Sequence, residues 1–328
     1  MTGSFKVRGA VNRLAVLTED ERRRGVVTAS TGNHGAAVAF AASALSDPSQ
    51  PLQCEIFLPK NVSRSKLDRL GCARKTEVAC PVVPSLSFYC TVRSSRSICM
   101  DDRRCGALTR LVDTVDCEVA ETRARQVADE TNRVFVSPYN DMLVIAGQGT
   151  MGVEIGHEMA RLHHQVDAVL VPVGGGGLVS GVAAAIKAQY PACKVFGCQP
   201  HTNACMAESV KAGRVLREGE FRNDPTWSDG TAGGVEEGAL TFDACSTLVD
   251  EFLLVSEEAI LDAMALMMTR HHKIVEGAAG VALGAFMANT ALFVQQNVVI
   301  ISCGSNLGPE RILKVAERAV QLEEHADE

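Results

Sequence analysis

Short runs rich in β-branched residues alternate along this chain with longer helical stretches. That alternation confines it to a layered α/β fold with mostly parallel sheets flanked by helices. The strand candidates are Gly25–Ala29, Cys54–Leu58, Val134–Ser137, Ala168–Val173, Lys194–Cys198 and Val298–Ser302. The helix candidates include Gly35–Ala44, Thr122–Thr131, Gly149–His164, Leu178–Tyr190, Glu257–His271 and Glu310–Leu322. In the Glu257 helix, Ser256 is placed to cap, two acids fill the first turn, and Ile260, Met264 and Met267 recur on one face. Pro309 suits the first position of the last helix. A chain of 328 residues holds a large core and is expected to divide into two lobes. With 5% aromatics and one tryptophan, that core must rest on Ala, Val, Leu, Ile and Met.

A formal net charge of −7 argues against a nucleic-acid or membrane-surface partner. The stretch from Ala168 to Ile186 carries no charge and nearly reaches bilayer length. Pro172 and the run Gly174–Gly177 break it as a spanning helix and suit a strand, a tight loop and a helix. The twelve cysteines lack the paired spacing of a metal site, and without a secretory leader the expectation is reduced thiols in the cytoplasm. Residues 79–109, holding Cys80, Cys90, Cys99 and Cys105 among Pro, Ser and Arg, show no steady period. They read as an irregular surface insert or a disordered stretch.

Four segments carry chemistry. In Thr2-Gly3-Ser4-Phe5-Lys6-Val7-Arg8-Gly9, a lysine stands beside an aromatic and between glycines. Read alone, it is a solvated lysine after a turn far more readily than a constrained nucleophile; a Schiff-base lysine needs a depressed pKa or a partner that shares its protons. In Ser30-Thr31-Gly32-Asn33-His34-Gly35, a strand feeds a polar, glycine-hinged turn and then an alanine-rich helix. The backbone N–H groups of such a turn, with a helix dipole behind them, seat a carboxylate or phosphate; the plainer alternative is a helix start capped by Ser30 or Asn33. In Gly174-Gly175-Gly176-Gly177-Leu178, four glycines let the backbone approach an anion at a helix start. The nucleotide phosphate-loop lysine and the GxGxxG spacing are both absent, which points to a small phosphorylated cofactor. In Ser302-Cys303-Gly304-Ser305-Asn306, a strand ends in small polar residues at the carboxyl edge where α/β sheets bind ligands, although Cys303 is equally suited to be a small buried apolar residue.

Together and in this order, the four segments resemble the fold-type II pyridoxal-phosphate enzymes, specifically the serine/threonine dehydratase and serine racemase branch. The resemblance covers nearly the whole chain outside the insert. It implies a large cofactor-binding domain from residues 1–25 and 147–328, and a small domain, 26–146, that carries the substrate loop. It implies that Lys6 holds pyridoxal 5'-phosphate as a Schiff base, with Phe5 packed beside the ring. Ser30, Thr31, Gly32, Asn33 and His34 would grip the substrate carboxylate, and Asn33 would reach the cofactor's 3-oxygen. Gly174, Gly175, Gly176, Gly177 and Leu178 would hold the phosphate, and Cys303 would face the pyridine nitrogen. Glu276, in Val275-Glu276-Gly277-Ala278, aligns with a family segment near the site as a supporting or capping acid.

The implied activity is that of an ammonia-lyase. Lys6 removes the α-proton of L-threonine or L-serine, the β-hydroxyl leaves, and a 2-oxo acid and ammonia follow. A neutral thiol at Cys303 stabilises a pyridinium less than a carboxylate would, which favours prompt elimination. The alternatives are serine racemase or 3-hydroxyaspartate dehydratase, with Thr31 standing where racemases place a serine hydroxyl. The substrate partner is a small amino acid, and the resemblance implies a homodimer or homotetramer.

The cation loop and the start of the chain depart from the family pattern. In Gln199-Pro200-His201-Thr202-Asn203-Ala204-Cys205, Gln199 and Cys205 replace the carboxylates of the family's cation loop, so no metal site is expected. His163, His164, His271 and His272 pair along helix ends and read as solvated residues favoured by the dipole. The lysine motif begins at the second residue, where the family carries a further segment, which leaves a truncated, inactive relative as another alternative.

Overall fold

The computed structural model describes residues 2–30, 32–47, 49–60, 76–79, 107–114 and 117–326. Most of the irregular segment, residues 80–106, therefore lies outside the described residues, as does Thr31. The described chain forms two compact units. One comprises Lys6–Pro138 with Thr2; the other comprises Gly3–Phe5 and Tyr139–Glu328. The sequence reading had grouped residues 6–25 with the larger lobe. They belong to the first unit because the helix Lys6–Ala15 lays its buried Gly9, Ala10 and Leu14 against the alanine-rich helix Asn33–Ala44.

Each unit is built on one parallel sheet. The first sheet contains β1 (Val26–Ala29), β2 (Cys54–Pro59), β3 (Thr76–Ala79), β4 (Leu108–Val112) and β5 (Val134–Phe135), in the order β3-β4-β2-β1-β5. The second contains β6 (Ala168–Pro172), β7 (Lys194–Pro200), β8 (Glu251–Val255) and β9 (Val298–Ile300), in the order β8-β7-β6-β9. Every pairing is parallel, with Val27 opposite Glu55 and Leu170 opposite both Phe196 and Ile300. Residues of β1, β2 and β6 are buried without alternation, as expected of parallel strands covered on both faces. The α/β architecture read from the sequence is the one observed.

Local signals account for some of the helix ends. Ser256 Oγ accepts from Ala259 N at 3.1 Å to start the helix Glu257–His271. His272 follows in a left-handed conformation at φ 52°, and Pro309 opens the last helix, Pro309–Ala326. All four paired histidines are exposed at or just past helix ends. The helix expected from Gly149 instead begins at Met142, where Asp141 Oδ1 accepts from the amides of Leu143 and Val144 at 2.8 and 3.1 Å. Its glycines look like breakers, but they serve contact: a Cβ on Gly149 would sit 3.1 Å from the Gly181 carbonyl oxygen of the helix Gly177–Gln189.

Sequence reasoning did not assign the helices Lys6–Ala15, Glu19–Arg24 and Gly277–Ala288, nor β3, β4 and β8. Gly277–Ala288 is buried on nearly every side, so it shows no amphipathic period. Among the described residues no helix is long and apolar enough to cross a membrane. The cysteines at 54, 193, 198, 205, 245 and 303 are buried and free of disulfides.

Candidate active site

In the larger unit the four-glycine run leaves the carboxyl end of β6 and enters the helix Gly177–Gln189 through Gly176, which is left-handed at φ 87°. Neighbours hold the run on three sides. A Cβ on Gly175 would stand 2.5 Å from the ring of Tyr139, one on Gly174 3.0 Å from Thr231 Cα, and one on Gly176 2.9 Å from Thr241 Cβ. Only glycine leaves room here, and the first amides of the following helix have no intrahelical acceptor. Such a cradle, at the positive end of a helix dipole, fits a phosphate dianion. Leu178, the second residue of that helix, is buried beneath it.

The other half of this unit's site is an antiparallel bridge at the start of the chain. Ser4 pairs with Gly304, Phe5 N donates to Cys303 O at 3.0 Å, and Ser305 N donates to Gly3 O at 2.8 Å. Cys303 is buried and Phe5 is half-buried against the same core. Glu276 is the N-cap residue of the helix Gly277–Ala288, yet its side chain makes no cap hydrogen bond. It lies over Gly304 instead, and its backbone N–H donates to Gly304 O at 3.1 Å.

In the smaller unit, Lys6 is the first residue of its helix and its Nζ donates to Pro138 O at 2.8 Å. Ser30 follows β1, and its Oγ accepts from Gly32 N at 3.2 Å. Gly32 caps the helix that Asn33 and His34 open. The imidazole of His34 is buried, with Nε2 2.9 Å from Val136 O. What His34 can offer an anion is thus its backbone N–H. Burial, and next the positive charge of Lys6, push the His34 pKa down to about 3. The ring is therefore neutral, and Nε2, which faces a carbonyl, carries the proton.

Sequence reasoning missed Tyr139, Asn140, Thr231 and Thr241, and the carbonyls of Val136 and Pro138. Tyr139 Oη accepts from Glu236 N at 3.0 Å, and Asn140 Oδ1 accepts from Leu240 N at 2.9 Å, fixing the loops around the glycine run. The available signal was Ser137-Pro138-Tyr139-Asn140-Asp141, a polar turn at the carboxyl end of a strand. In the cation loop, Gln199 Oε1 accepts from Ala207 N at 2.8 Å, and Cys205 Sγ lies 3.9 Å from Ser209 Oγ. Among the described residues no group of three His, Cys, Asp or Glu is placed to hold a metal.

The glycine cradle at a helix start, the buried thiol bonded through its backbone to the residue before Lys6, and the polar turn at a second helix start are the segments on which the resemblance rests. The family model described as "Pyridoxal-phosphate dependent enzyme" matches residues 1–304, so the chain belongs to that family and pyridoxal phosphate is its cofactor. The resemblance drawn from the four segments is borne out.

Among curated proteins, the chain is 35% identical to an L-threonine ammonia-lyase of Thermotoga maritima over 319 residues, 97% of this chain and 68% of that protein. Among solved structures it is similar to the processed form of threonine deaminase isoform 2 from Solanum lycopersicum. That match has a TM-score of 0.79 at 29% identity and covers 97% of this chain and 80% of the other. It is also similar to maize serine racemase, with a TM-score of 0.76 at 27% identity over 99% of this chain and 85% of that one.

Proposed function

We propose that this protein is an ammonia-lyase that converts L-threonine, L-serine or both to a 2-oxo acid and ammonia by β-elimination. The reading is supported by relatives of that activity, the Thermotoga maritima L-threonine ammonia-lyase among them. The observation that carries it is the hydrogen bond from Phe5 N to Cys303 O, which ties a buried thiol to the residue preceding Lys6. In this reading Cys303 faces the pyridine nitrogen as a neutral group, and Phe5 packs beside the ring. The amides of Gly174–Gly177 and Leu178 hold the phosphate. Asn33 takes the 3-oxygen, and the turn Ser30–His34 binds the substrate carboxylate.

When bound, the cofactor supplies the electron sink that lets the substrate's Cα–H ionise. Lys6, released as a free amine, takes that proton at Nζ. The β-hydroxyl would then leave as water, taking up the proton that Lys6 Nζ had accepted, and hydrolysis of the resulting enamine would give the 2-oxo acid and ammonia. Thr31 lies outside the described residues and enters the proposal from the sequence, as the hydroxyl on the opposite face. A cytoplasmic enzyme that self-associates as a dimer or tetramer completes the reading.

Racemisation of serine is the second reading, favoured by the similarity to maize serine racemase and by the hydroxyl that Thr31 supplies. One set of measurements separates the two. The purified protein is expected to show the visible absorbance band of lysine-bound cofactor and to lose it in Lys6→Ala. Assays of 2-oxo acid from L-Thr, L-Ser, D-Ser and 3-hydroxyaspartate, with chiral analysis of the remaining serine, follow. 2-Oxobutyrate from threonine supports the lyase, D-serine accumulation replaces it with the racemase, and a full band in Lys6→Ala removes both.

A further inference from the structure

Three side chains from distant points of the smaller unit converge on one short piece of backbone. Val136 O accepts from Thr28 Oγ1 at 2.8 Å and lies 2.9 Å from His34 Nε2, while Pro138 O, two residues on, accepts from Lys6 Nζ at 2.8 Å. Val136 N donates to Val27 O at 2.8 Å, so this residue is tied to β1 by its amide and by Thr28, and to the helix Asn33–Ala44 by His34. Thr28 and His34 are buried, so these bonds are shielded from exchange with water. His34 Nδ1 is buried with no hydrogen-bond partner. A ring that satisfies only one of its nitrogens is spending its single proton on Val136 O.

We infer that His34 is a positioning residue for Lys6: its imidazole holds the Val136–Pro138 backbone where Pro138 O receives the lysine amine. This inference rests on Lys6 being the cofactor lysine. It assigns the His34 ring a task separate from the substrate turn, to which the same residue contributes its backbone. A neutral donor suits the task, because a second cation beside Lys6 would compete for the same carbonyls. While Lys6 is a free amine, Pro138 O gives it a fixed acceptor.

The test uses the full chain in two states. With cofactor removed, the rate at which trace acetic anhydride labels Lys6, read by mass spectrometry of its peptide, reports how firmly the amine is held. With cofactor bound, kcat and KM for L-threonine report positioning. His34→Phe fills the space without a donor. It is expected to label Lys6 about fivefold faster and to lower kcat about tenfold with KM changed less than about threefold, the scale of one lost buried hydrogen bond. His34→Gln places an N–H near the Nε2 position and is expected to recover most of both.

Thr28→Val, which removes the other donor to Val136 O and keeps the shape, is expected to speed labelling in the same direction by a smaller factor. It carries the test if His34→Phe does not fold. Unchanged Lys6 labelling in a folded His34→Phe or Thr28→Val protein overturns the inference, as does a His34→Gln protein no better than His34→Phe. The cofactor-free labelling is read whether or not the enzyme is a lyase, so its failure is distinct from a cofactor band that survives Lys6→Ala.

Discussion

The carboxylate of Glu276 fills the space that a side chain at residue 304 would need: a Cβ on Gly304 would stand 2.1 Å from Glu276 Oε1. Glu276 is buried, and Gly304 pairs with Ser4 beside the Phe5–Cys303 hydrogen bond. Gly304→Ala is therefore expected to cost about 1–3 kcal/mol of stability and to weaken cofactor retention, measured by urea unfolding and by the absorbance band after dialysis. Adding Glu276→Ala opens the space, so the double variant should regain part of that stability. A single variant as stable as the parent would show that the carboxylate moves aside at no cost.

Two glycines predict opposite behaviour. Gly175→Ala drives a Cβ to within 2.5 Å of the Tyr139 ring, so the cradle must distort. The expected result is at least about a tenfold rise in the cofactor concentration needed to restore the band, the scale of an overpacking penalty. A Cβ on Gly32 meets nothing within 4 Å, and Gly32 has a negative φ of −136°. Gly32→Ala should change stability by less than about 0.5 kcal/mol, while raising KM if the substrate carboxylate occupies that open space. An unaltered KM would remove Gly32 from the substrate turn.

His34 makes stability depend on pH. Its folded pKa, pushed down to about 3 from 6.5, means that the unfolded chain binds the proton first. The stabilisation is fully present above 6.5 and is lost as pH falls from there towards 3. In that window the parent's unfolding free energy should drop more steeply than that of His34→Gln, by up to about 1.4 kcal/mol per pH unit. Chemical denaturation of both proteins across the window checks this; parallel slopes would mean that the ring is charged in the folded state.

Glu55 is a buried carboxylate on β2. Its Oε2 lies 2.6 Å from Arg133 Nη1, and its other oxygen is paired with Arg110. Glu55→Ala leaves two guanidinium groups facing a sheet without their counter-charge, which is expected to cost about 3 kcal/mol in urea unfolding. A loss below about 0.5 kcal/mol would show that water reaches both arginines in the variant.

Much of the architecture was legible in order and type. The pattern of β6, four glycines and a helix was readable because a left-handed residue such as Gly176 and a close backbone approach demand glycine locally. The Glu257–His271 helix was readable because Ser256 caps it through its own side chain. The helix Gly277–Ala288 was not, because a helix buried on nearly every side has no polar face to set a period. The start at Met142 was missed because the glycines that follow signal flexibility in sequence and close contact in space.

What the chain's sequence determined was the family: a lysine between glycines, a polar turn and a four-glycine run at helix starts, and a thiol at a strand end, which together and in that order carry the resemblance that the family model bears out. The partners of those residues were decided by the tertiary structure alone. Pro138 O receives the amine of Lys6 across 132 positions, Val136 O takes the proton of His34, and Tyr139 closes the glycine cradle. The physical reason is that the two hydrogen-bond acceptors are main-chain carbonyls. Every residue has one, so no side chain marks which will be used, and only the packing of strand against helix selects it.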